Sequence, residues 1–243
     1  MKNSDVFLDI FSAIEGWLRK QAEVDRLVSF YQLVESVAKR NRAVLGYRDD
    51  LKEFADLRNA IVHERTDGHV IAEPNDQAVA NFERIRAALI NPPTVVPKFQ
   101  RKVQSRSVDE SVGEAVSDMR SGSFSQLPIL SGGTVIALLT AETVVRWLAS
   151  EVSNDLVSLL ETKIEVVLPH VEDPKHYCFL PRRATLQEAL GRFEDFAARG
   201  KDLDAILISQ DGKPDQSLIG ILTVYDLPEV LETLGRRRVS TAG

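Results

Sequence analysis

The sequence predicts a mixed α/β protein of the α+β class, in which an N-terminal helical bundle is followed by two β-α-β-β-α repeats. Two observations support this fold class. The first part of the chain has the 3.6-residue apolar period of amphipathic helices, whereas the rest contains an internal repeat of strand-like and helix-like segments. The 243 residues, 44% of them hydrophobic and 27% charged, suffice for two globular domains of ordinary size.

The helical bundle comes first. Apolar periodicity predicts helices over residues 4–22, 24–43, 47–64 and 75–90. Ser4 is the expected N-cap of the first helix, and the polar stretch 74–76 supplies a cap for the last. The prolines of "NPPTVVPKF" (91–99) disfavour helix, so we place the domain boundary here and assign residues 1–93 to the bundle.

The internal repeat covers the remainder. Its copies, assigned to residues 94–153 and 154–243, each predict strand, helix, strand, strand and helix. The first helices, "SVGEAVSDM" (111–119) and "TLQEALGRF" (185–193), both begin with a capping box, which is a Ser or Thr followed three residues later by Glu. The central strands match in the same way: "QLPIL" (126–130) with "DAILI" (204–208), and "VIALLT" (135–140) with "LIGILT" (218–223).

Charge and composition exclude several classes of function. The net charge of −6 argues against broad, nonspecific binding to nucleic acid, and we interpret the basic clusters at 39–42 and 235–238 as a solvated helix end and a tail. The single cysteine, Cys178, excludes an intrachain disulfide and a Cys-rich metal site, and we expect it in the core. No metal is predicted, because the spacing of metal ligands is lacking among His69, His170 and His176.

The N-terminal residues predict the compartment. "MKNSDVFLDIF" lacks the basic start and apolar run of a signal peptide, and no stretch approaches the length needed to span a bilayer. The low cysteine content agrees with a reducing compartment. We therefore expect a cytoplasmic protein without membrane contact.

The repeat resembles a tandem pair of CBS (cystathionine beta-synthase type) domains over roughly residues 95–235. Its most characteristic local feature is Gly-apolar-apolar-Thr-x-x-Asp, present as "GILTVYD" (220–226). The resemblance implies two units that pack pseudo-symmetrically, with clefts between them that bind adenosine-type ligands. It therefore implies AMP, ADP or ATP as a regulatory ligand.

Within that motif, Gly220, Thr223 and Asp226 are the candidate ligand-binding residues. Asp226 at a helix start can accept hydrogen bonds from both ribose hydroxyls, while Thr223 and nearby backbone N–H groups face a phosphate at the positive helix end. Arg182 and Arg183, in the turn before the second repeat's first helix, are further candidates for phosphate contacts. The structural alternative is that Asp226 only caps its helix.

The first repeat departs from the pattern at "ALLTAET" (137–143). Ala137 replaces the glycine and Thr143 stands at the aspartate position, whereas Thr140 remains. One functional cleft per chain is therefore expected. Because no Walker-type or dinucleotide glycine loop is present, we predict that the cleft senses a nucleotide rather than reacts with it.

The bundle carries a second motif, "LRNAIVHE" (57–64), near the end of its third predicted helix. Residues 4–90 resemble the HEPN family, whose Arg-Asn-x-x-x-His motif is matched by Arg58, Asn59 and His63. Asn59 and His63 are four residues apart and share a helix face. The resemblance implies a metal-independent ribonuclease whose site is assembled across a homodimer.

The chemistry implied for these residues is cleavage of single-stranded RNA by its own 2′-hydroxyl. His63 would move a proton, Arg58 would stabilise charge on the phosphate, and Asn59 would orient His63 or donate to the same phosphate. A cyclic 2′,3′-phosphate is the expected product. The structural alternative is that the three residues stabilise the helix end, and HEPN-like domains also include noncatalytic dimerisation and binding modules.

The expected function is an adenine-nucleotide-sensing regulatory protein in which a CBS pair controls a HEPN-like effector domain. The alternatives are a nonenzymatic, nucleotide-responsive binding module and a dimerisation scaffold that has lost its ligand. We expect a homodimer. "VVRWLAS" (144–150) and "VLETL" (230–234) supply apolar helical surface for such a contact, or else for burial inside one chain.

Overall fold

The computed structural model of the chain describes residues 2–24, 28–63, 65–66, 69–70, 72–152 and 157–234, with only the backbone of residues 63, 65, 66, 69 and 70. The chain divides into two compact units, Met1–Pro93 and Thr94–Gly243. Helices and strands are both present, which confirms the mixed α/β class. No helix in the described ranges combines the length and apolar character that crossing a bilayer requires.

The first unit is a set of helices around one apolar core. Its elements are α1 (Asn3–Ala22), α2 (Phe30–Ala38), α3 (Arg42–Gly46), α4 (Arg48–His63), β1 (Arg65–Thr66), β2 (His69–Val70) and α5 (Asp76–Ile90). Phe7, Ile14 and Leu18 recur on one face of α1 and are fully buried, which is why this segment is helical and packed. The Phe7 and Phe54 rings contact Phe82 of α5, with ring centroids 4.8 and 4.3 Å apart.

The prediction of a single helix over residues 24–43 is wrong, because the structure has two helices, α2 and α3. Ser29 caps the first, and Asn41 begins the second: its Oδ1 accepts hydrogen bonds from the N–H groups of Ala43 and Val44 at 3.0 and 3.1 Å. The apolar period continues across both helices, so periodicity alone does not reveal the break. The short antiparallel pair of β1 and β2 was not predicted either.

The N-cap predicted at Ser4 is also wrong. Helix α1 begins one residue earlier, at Asn3, and the Ser4 side chain is buried. The Ser4 N–H instead donates to Oε1 of Glu73 at 3.0 Å, so a carboxylate distant in sequence satisfies this free helix-terminal N–H group. The cap predicted before the last helix of the bundle, α5, is confirmed, because Asn75 Oδ1 accepts from Ala78 N–H at 2.8 Å.

The second unit contains the two repeats in the predicted order of strand, helix, strand, strand and helix. Its elements are α6 (Val95–Lys98), β3 (Arg106–Ser107), α7 (Val112–Gly122), β4 (Gln126–Ser131), β5 (Thr134–Thr140), α8 (Ala141–Ser150), α9 (Ile164–Val167), β6 (Tyr177–Pro181), α10 (Leu186–Ala197), β7 (Ala205–Ser209), β8 (Leu218–Thr223) and α11 (Leu227–Thr233). Both predicted N-caps form, because Ser111 accepts from Glu114 N–H at 3.2 Å and Thr185 accepts from Glu188 N–H at 3.1 Å. The reciprocal bond of a full capping box, from the backbone N–H of the cap to the Glu carboxylate, is made at Thr185, at 2.7 Å.

Each repeat builds one three-stranded sheet, in the orders β3-β4-β5 and β6-β7-β8. In both sheets the first pair is parallel and the second antiparallel. Val135 and Leu138 of the first sheet form a buried cluster with Ala205 and Leu207 of the second, so the sheets pack face to face. Strand β7 is buried along its whole length, as expected for its four apolar residues, and the buried Ser209 hydroxyl at its end donates to Lys213 O at 3.0 Å.

Each repeat is completed by a segment that precedes the other repeat in sequence. Helix α6 belongs to the core of the second repeat, where Val95 N–H donates to Ala184 O at 2.8 Å. Helix α9 belongs to the core of the first repeat, where Ile164 N–H donates to Glu110 O at 2.9 Å. The chain after α6 continues beside β8, and Arg101 N–H donates to Ile219 O at 3.1 Å. The Arg101 backbone thus lies beside the first residues of β8, and its side chain reaches Ile221 O farther along the strand.

Cys178 lies on β6 and packs against the core of the second repeat. Its side chain is partly exposed, but burial is the main influence on the thiol and raises its pKa to about 11. The thiol is therefore protonated at neutral pH, as expected for a residue that contributes to packing.

Candidate functional site

The motif "GILTVYD" ends β8 and forms the turn that leads into α11. After Thr223, residues Val224–Asp226 make one turn of 3₁₀ helix. Asp226 Oδ2 accepts hydrogen bonds from Thr223 N–H at 2.7 Å and from Thr223 Oγ1 at 3.1 Å. The Asp226 side chain therefore makes no cap bond to α11; it closes the capping box of the 3₁₀ turn that begins after Thr223, and these bonds fix the direction of its carboxylate.

Arg101 approaches the same carboxylate from the segment after α6. Its Nη2 lies 2.9 Å from Asp226 Oδ2, and its Nε donates to Ile221 O at 3.0 Å. The Asp226 side chain is only 15% exposed, whereas that of Arg101 is 46% exposed. Sequence reasoning missed Arg101, because no local signal relates residues that are 125 positions apart.

Arg101, Thr223 and Asp226 line one cleft of about 690 Å³. The cationic side chains of Lys102 and Arg120 also line it, so Asp226 is outnumbered by positive charge. Its apolar lining comes from Val103, Met119, Phe124, Ile221 and Tyr225. The cleft thus combines an acceptor for hydroxyl groups, cations suited to phosphate, and an apolar wall.

Gly220, the first residue of the motif, has a structural role in the strand. A Cβ at this position would lie 2.1 Å from Phe99 O, and Gly220 forms an isolated antiparallel bridge with Gln100. Only a residue without a side chain allows the backbone of residues 99–101 to run this close to β8. Gly220 is not among the lining residues of the 690 Å³ cleft.

Arg182 and Arg183 lie in the turn between β6 and α10, and both are exposed. Arg182 N–H donates to Ser209 O at 2.9 Å, and its Nη1 is 3.5 Å from Gln210 Oε1. Neither arginine is among the residues that line the cleft with Asp226. The structure therefore brings Thr223 and Asp226 together and places the two arginines elsewhere.

A smaller cleft of about 330 Å³ lies at the corresponding turn of the first repeat. Thr143 stands at the position that Asp226 has in the second repeat, and its N–H donates to Thr140 Oγ1 at 3.1 Å. The two hydroxyls are 2.9 Å apart and both side chains are buried. This turn is capped without a carboxylate, so it lacks the acceptor for ribose that the second repeat has.

The smaller cleft is acidic, whereas the cleft beside Asp226 has more cations than carboxylates. Its lining carboxylates are those of Glu142, Glu172, Asp173, Asp202 and Asp204. Arg146 pairs with Glu142 at 2.8 Å and with Glu172, while Lys201 lies 2.7 Å from Asp173. The hydrogen bond from Lys201 lowers the pKa of Asp173, and that from Arg146 to Glu142 raises the pKa of Arg146. An acidic cleft with internal ion pairs is a poor site for an anionic ligand.

The Arg-Asn-x-x-x-His motif lies on α4 of the helical unit. Arg58 is half-buried, its guanidinium carbon is 5.8 Å from the centroid of the Phe11 ring, and it donates to Asn59 Oδ1 at 3.3 Å. His63 is the last residue of α4, but its side chain lies outside the described part of the structure. The structure therefore brings together two of the three candidate residues.

Arg58 and Asn59 share a shallow depression of about 270 Å³ with the aromatic side chains of Phe11, Phe30 and Tyr31. The Tyr31 hydroxyl donates to Asp56 Oδ1 at 2.6 Å, and this bond raises the pKa of Tyr31. Among the described residues of the chain, no cluster of His, Cys, Asp and Glu side chains could hold a metal ion.

The chain matches no protein-family model, and no curated protein sequence matches it significantly. Solved structures similar to it include a CBS domain-containing protein from Kribbella flavida, with a TM-score of 0.43, 15% identity, and coverage of 56% of this chain and 95% of that chain. An uncharacterized conserved protein from Pyrococcus horikoshii has a TM-score of 0.41 and 22% identity, covering 62% of this chain and 98% of that chain.

A third similar structure is the CBS domain pair of protein MJ0100 in complex with 5′-methylthioadenosine and S-adenosyl-L-methionine. Its TM-score is 0.41 at 14% identity, and the match covers 58% of this chain and 98% of that chain. Because all three TM-scores lie below 0.5, these similarities by themselves establish nothing about the site.

Proposed function

We propose that the cleft beside Asp226 binds an adenosine-type nucleotide, AMP, ADP or ATP, and that the two repeats form a regulatory CBS-type module. One observation carries this proposal: the Thr223–Asp226 turn and the cations Arg101, Lys102 and Arg120 line the same cleft. A nucleotide has the three matching parts, which are a diol, an anionic phosphate and a planar base.

Each part of the nucleotide has a counterpart in the cleft. The Asp226 carboxylate accepts hydrogen bonds from the ribose hydroxyls, and such charge-assisted bonds are stronger than neutral ones. The cations attract the phosphate, and the apolar wall that includes Phe124 and Ile221 accommodates the adenine ring. The proposed role is binding and signalling, so the nucleotide leaves the cleft chemically unchanged.

The smaller cleft supports a stoichiometry of one nucleotide per chain. Its turn has Thr143 in place of an aspartate, and its carboxylates outnumber its cations. Both features disfavour a ligand that carries a phosphate. We therefore propose that the clefts have diverged, with ligand binding kept only beside Asp226.

The protein's melting temperature with and without ligands tests the proposed function. AMP, ADP or ATP should raise it, because a ligand that binds only the folded state stabilises that state. Inorganic phosphate at equal concentration is the control for the anion alone. Asp226→Asn should reduce the nucleotide-induced shift, while Arg182→Gln and Arg183→Gln test whether the arginines predicted from sequence contribute. A chain that no adenine nucleotide stabilises would refute the proposal.

We propose the helical unit as the effector of a homodimeric protein, with metal-independent cleavage of single-stranded RNA as a second candidate function. The observation that favours it is the depression in which Arg58 and Asn59 lie beside the three aromatic side chains of Phe11, Phe30 and Tyr31. Phe11 and Phe30 are buried in the core, so the partly exposed Tyr31 ring is the one on which an unpaired base would stack, and the Arg58 guanidinium would bind phosphate. His63 would then act as the general base toward the 2′-hydroxyl.

Cleavage assays with a chelator present test this candidate. Arg58→Ala and His63→Ala should fold and assemble normally but lose cleavage, and Arg48→Ala on the same helix is the matched control. Assays with and without nucleotide are needed, because an effector that its sensor holds inactive would otherwise show no cleavage. If wild-type protein leaves single-stranded RNA intact under every condition, the helical unit is a nonenzymatic binding or dimerisation module.

A further inference from the structure

We infer that Arg101 decides how strongly the cleft prefers a phosphorylated nucleotide over a nucleoside. In this inference, which rests on the proposed function, the ribose displaces the Arg101 guanidinium from Asp226, and the guanidinium then binds the phosphate. The cleft would thus disfavour a ribose that arrives without a phosphate.

The hydrogen bonds of Asp226 are the first argument. Oδ2 accepts from Thr223 N–H, from Thr223 Oγ1 and from Arg101 Nη2. Within the described part of the chain, Oδ1 accepts from no donor. Oδ1 has two free lone pairs, but vicinal hydroxyls bind a carboxylate in a bidentate way with one hydroxyl on each oxygen, so one ribose hydroxyl needs Oδ2, which already accepts three bonds. The ribose must therefore compete with one of the three existing donors for Oδ2.

Arg101 is the donor best able to leave. The Thr223 N–H belongs to the backbone at the end of β8 and cannot turn away, and the Thr223 hydroxyl belongs to the same turn. The Arg101 side chain, in contrast, is 46% exposed and also donates to Ile221 O, through Nε at 3.0 Å and Nη2 at 2.5 Å, so it keeps an acceptor when it leaves Asp226. The pair is exposed on the arginine side only, and a ligand whose hydroxyls satisfy the same carboxylate can replace the guanidinium.

A displaced Arg101 side chain would remain at the cleft. Its Nε donates to Ile221 O at 3.0 Å, and its backbone N–H donates to Ile219 O at 3.1 Å. Guanidinium has five N–H donors, so those not used by Ile221 stay available for an anion. Lys102 and Arg120 line the same cleft, and a phosphate there would complete a cationic cluster.

Calorimetric titration of three ligands into wild type and Arg101→Gln tests this inference. Adenosine has the diol but no phosphate, 2′,3′-dideoxyadenosine has neither, and AMP has both. In Arg101→Gln the affinity for adenosine should rise about two- to fivefold, because adenosine no longer has to break an ion pair that is exposed on one side. The affinity for 2′,3′-dideoxyadenosine should not change. The preference for AMP over adenosine should fall about tenfold or more, because a charge-assisted contact to the phosphate is lost.

Lys102→Gln is the matched control, because it removes a cation from the same cleft. It should weaken AMP binding without any gain for adenosine. If Arg101→Gln does not fold, Arg101→Lys serves instead: an ammonium still attracts phosphate but lacks the planar fork that bridges Ile221 O and Asp226. That variant should bind adenosine more tightly and keep most of the preference for AMP.

The outcomes separate this inference from the proposed function. Wild-type protein that binds no adenine nucleotide at millimolar concentration refutes the proposed function itself. Wild-type protein that binds AMP, together with an Arg101→Gln variant in which adenosine binds no more tightly than in wild type, refutes only the role of Arg101.

Discussion

Asp226 has two roles that a single substitution would disturb together. It caps the turn at the end of β8 through Thr223, and in our proposal it also binds the ribose. Loss of the cap alone lowers stability by about 1 kcal/mol. Asp226→Asn keeps an oxygen acceptor for the Thr223 bonds but loses the charge. A change in ligand affinity in this variant is therefore less affected by lost folding stability than the change in Asp226→Ala.

Gly220→Ala should destabilise the second unit, although Gly220 itself does not line the cleft. The added Cβ would lie 2.1 Å from Phe99 O, which belongs to the backbone and cannot rotate away. We expect the free energy of unfolding to fall by about 2 kcal/mol or more, as for overpacked core positions. Urea denaturation followed by circular dichroism measures it.

Gly16→Ala is the control for this prediction. A Cβ added at Gly16 would meet no atom of the described residues within 4 Å, the backbone of its own helix aside. Alanine also favours helix over glycine by up to about 1 kcal/mol. Gly16→Ala should therefore leave stability unchanged or raise it. Equal effects of the two substitutions would contradict the close backbone approach at Gly220.

At the scale of single elements, Asn41 is the residue that separates α2 from α3. Asn41→Ala should lower the free energy of unfolding by about 1 kcal/mol, because the N–H groups of Ala43 and Val44 lose their acceptor. Asn41→Asp keeps the acceptor and should remain within a few tenths of a kcal/mol of wild type, as aspartate caps about as well as asparagine. Thermal melts followed by circular dichroism would show the difference. A neutral Asn41→Ala would mean that packing alone separates the helices.

The loop at residues 171–176 should show an acid-sensitive contact with Lys201. Lys201 donates to Asp173 at 2.7 Å and, with the N–H of Lys175, holds the pKa of Asp173 below its ordinary value of 3.8. A lowered pKa contributes stability above the unfolded-state pKa, and this contribution is lost as the pH falls through the folded-state pKa. Asp173→Asn should therefore melt below wild type at pH 6, and the two curves should converge below about pH 3.8.

Lys201→Gln removes the same contact from its other side. It should show the same deficit at pH 6 and the same convergence at acid pH. A deficit that stays constant down to pH 3 would contradict the assigned role of Asp173.

Sequence patterns predicted elements well where the signal is local. The capping-box sequences that begin at Ser111 and Thr185 mark helix starts correctly, because the bonding groups are three residues apart. The cap on α1 could not be predicted, since its acceptor, Glu73, lies 69 residues away. Arg101 was missed for the same reason: its pairing with Asp226 depends on how α6 packs against the second repeat.

At the scale of the whole molecule, α8 offers the apolar surface for the proposed homodimer. Val145 and Leu148 are 62% and 37% exposed, three residues apart on one face of the helix. The other candidate segment, residues 230–234, is used inside the chain, where Val230 is fully buried and Leu231 and Leu234 pack against the core of the second repeat. We therefore expect a homodimer that contacts through α8.

The mass in solution at micromolar concentration, measured by light scattering, tests the dimer. Wild type should be dimeric, and Val145→Glu with Leu148→Glu should be monomeric. Leu45→Glu, at an exposed apolar position of the helical unit, should remain dimeric. Dissociation by Leu45→Glu alone would place the contact on the helical unit instead. A monomeric wild type would contradict both the dimer and the ribonuclease candidate, whose site needs two chains.

The most direct test of the proposed nucleotide site is calorimetric titration of ADP into the full chain. We predict one site per chain, and about tenfold or more weaker binding in Asp226→Asn, because charge-assisted hydrogen bonds to the ribose are lost. Glu142→Gln, which changes the smaller cleft, should bind like wild type. Two sites per chain, unaltered affinity in Asp226→Asn, or weakening by Glu142→Gln would contradict the site assigned here.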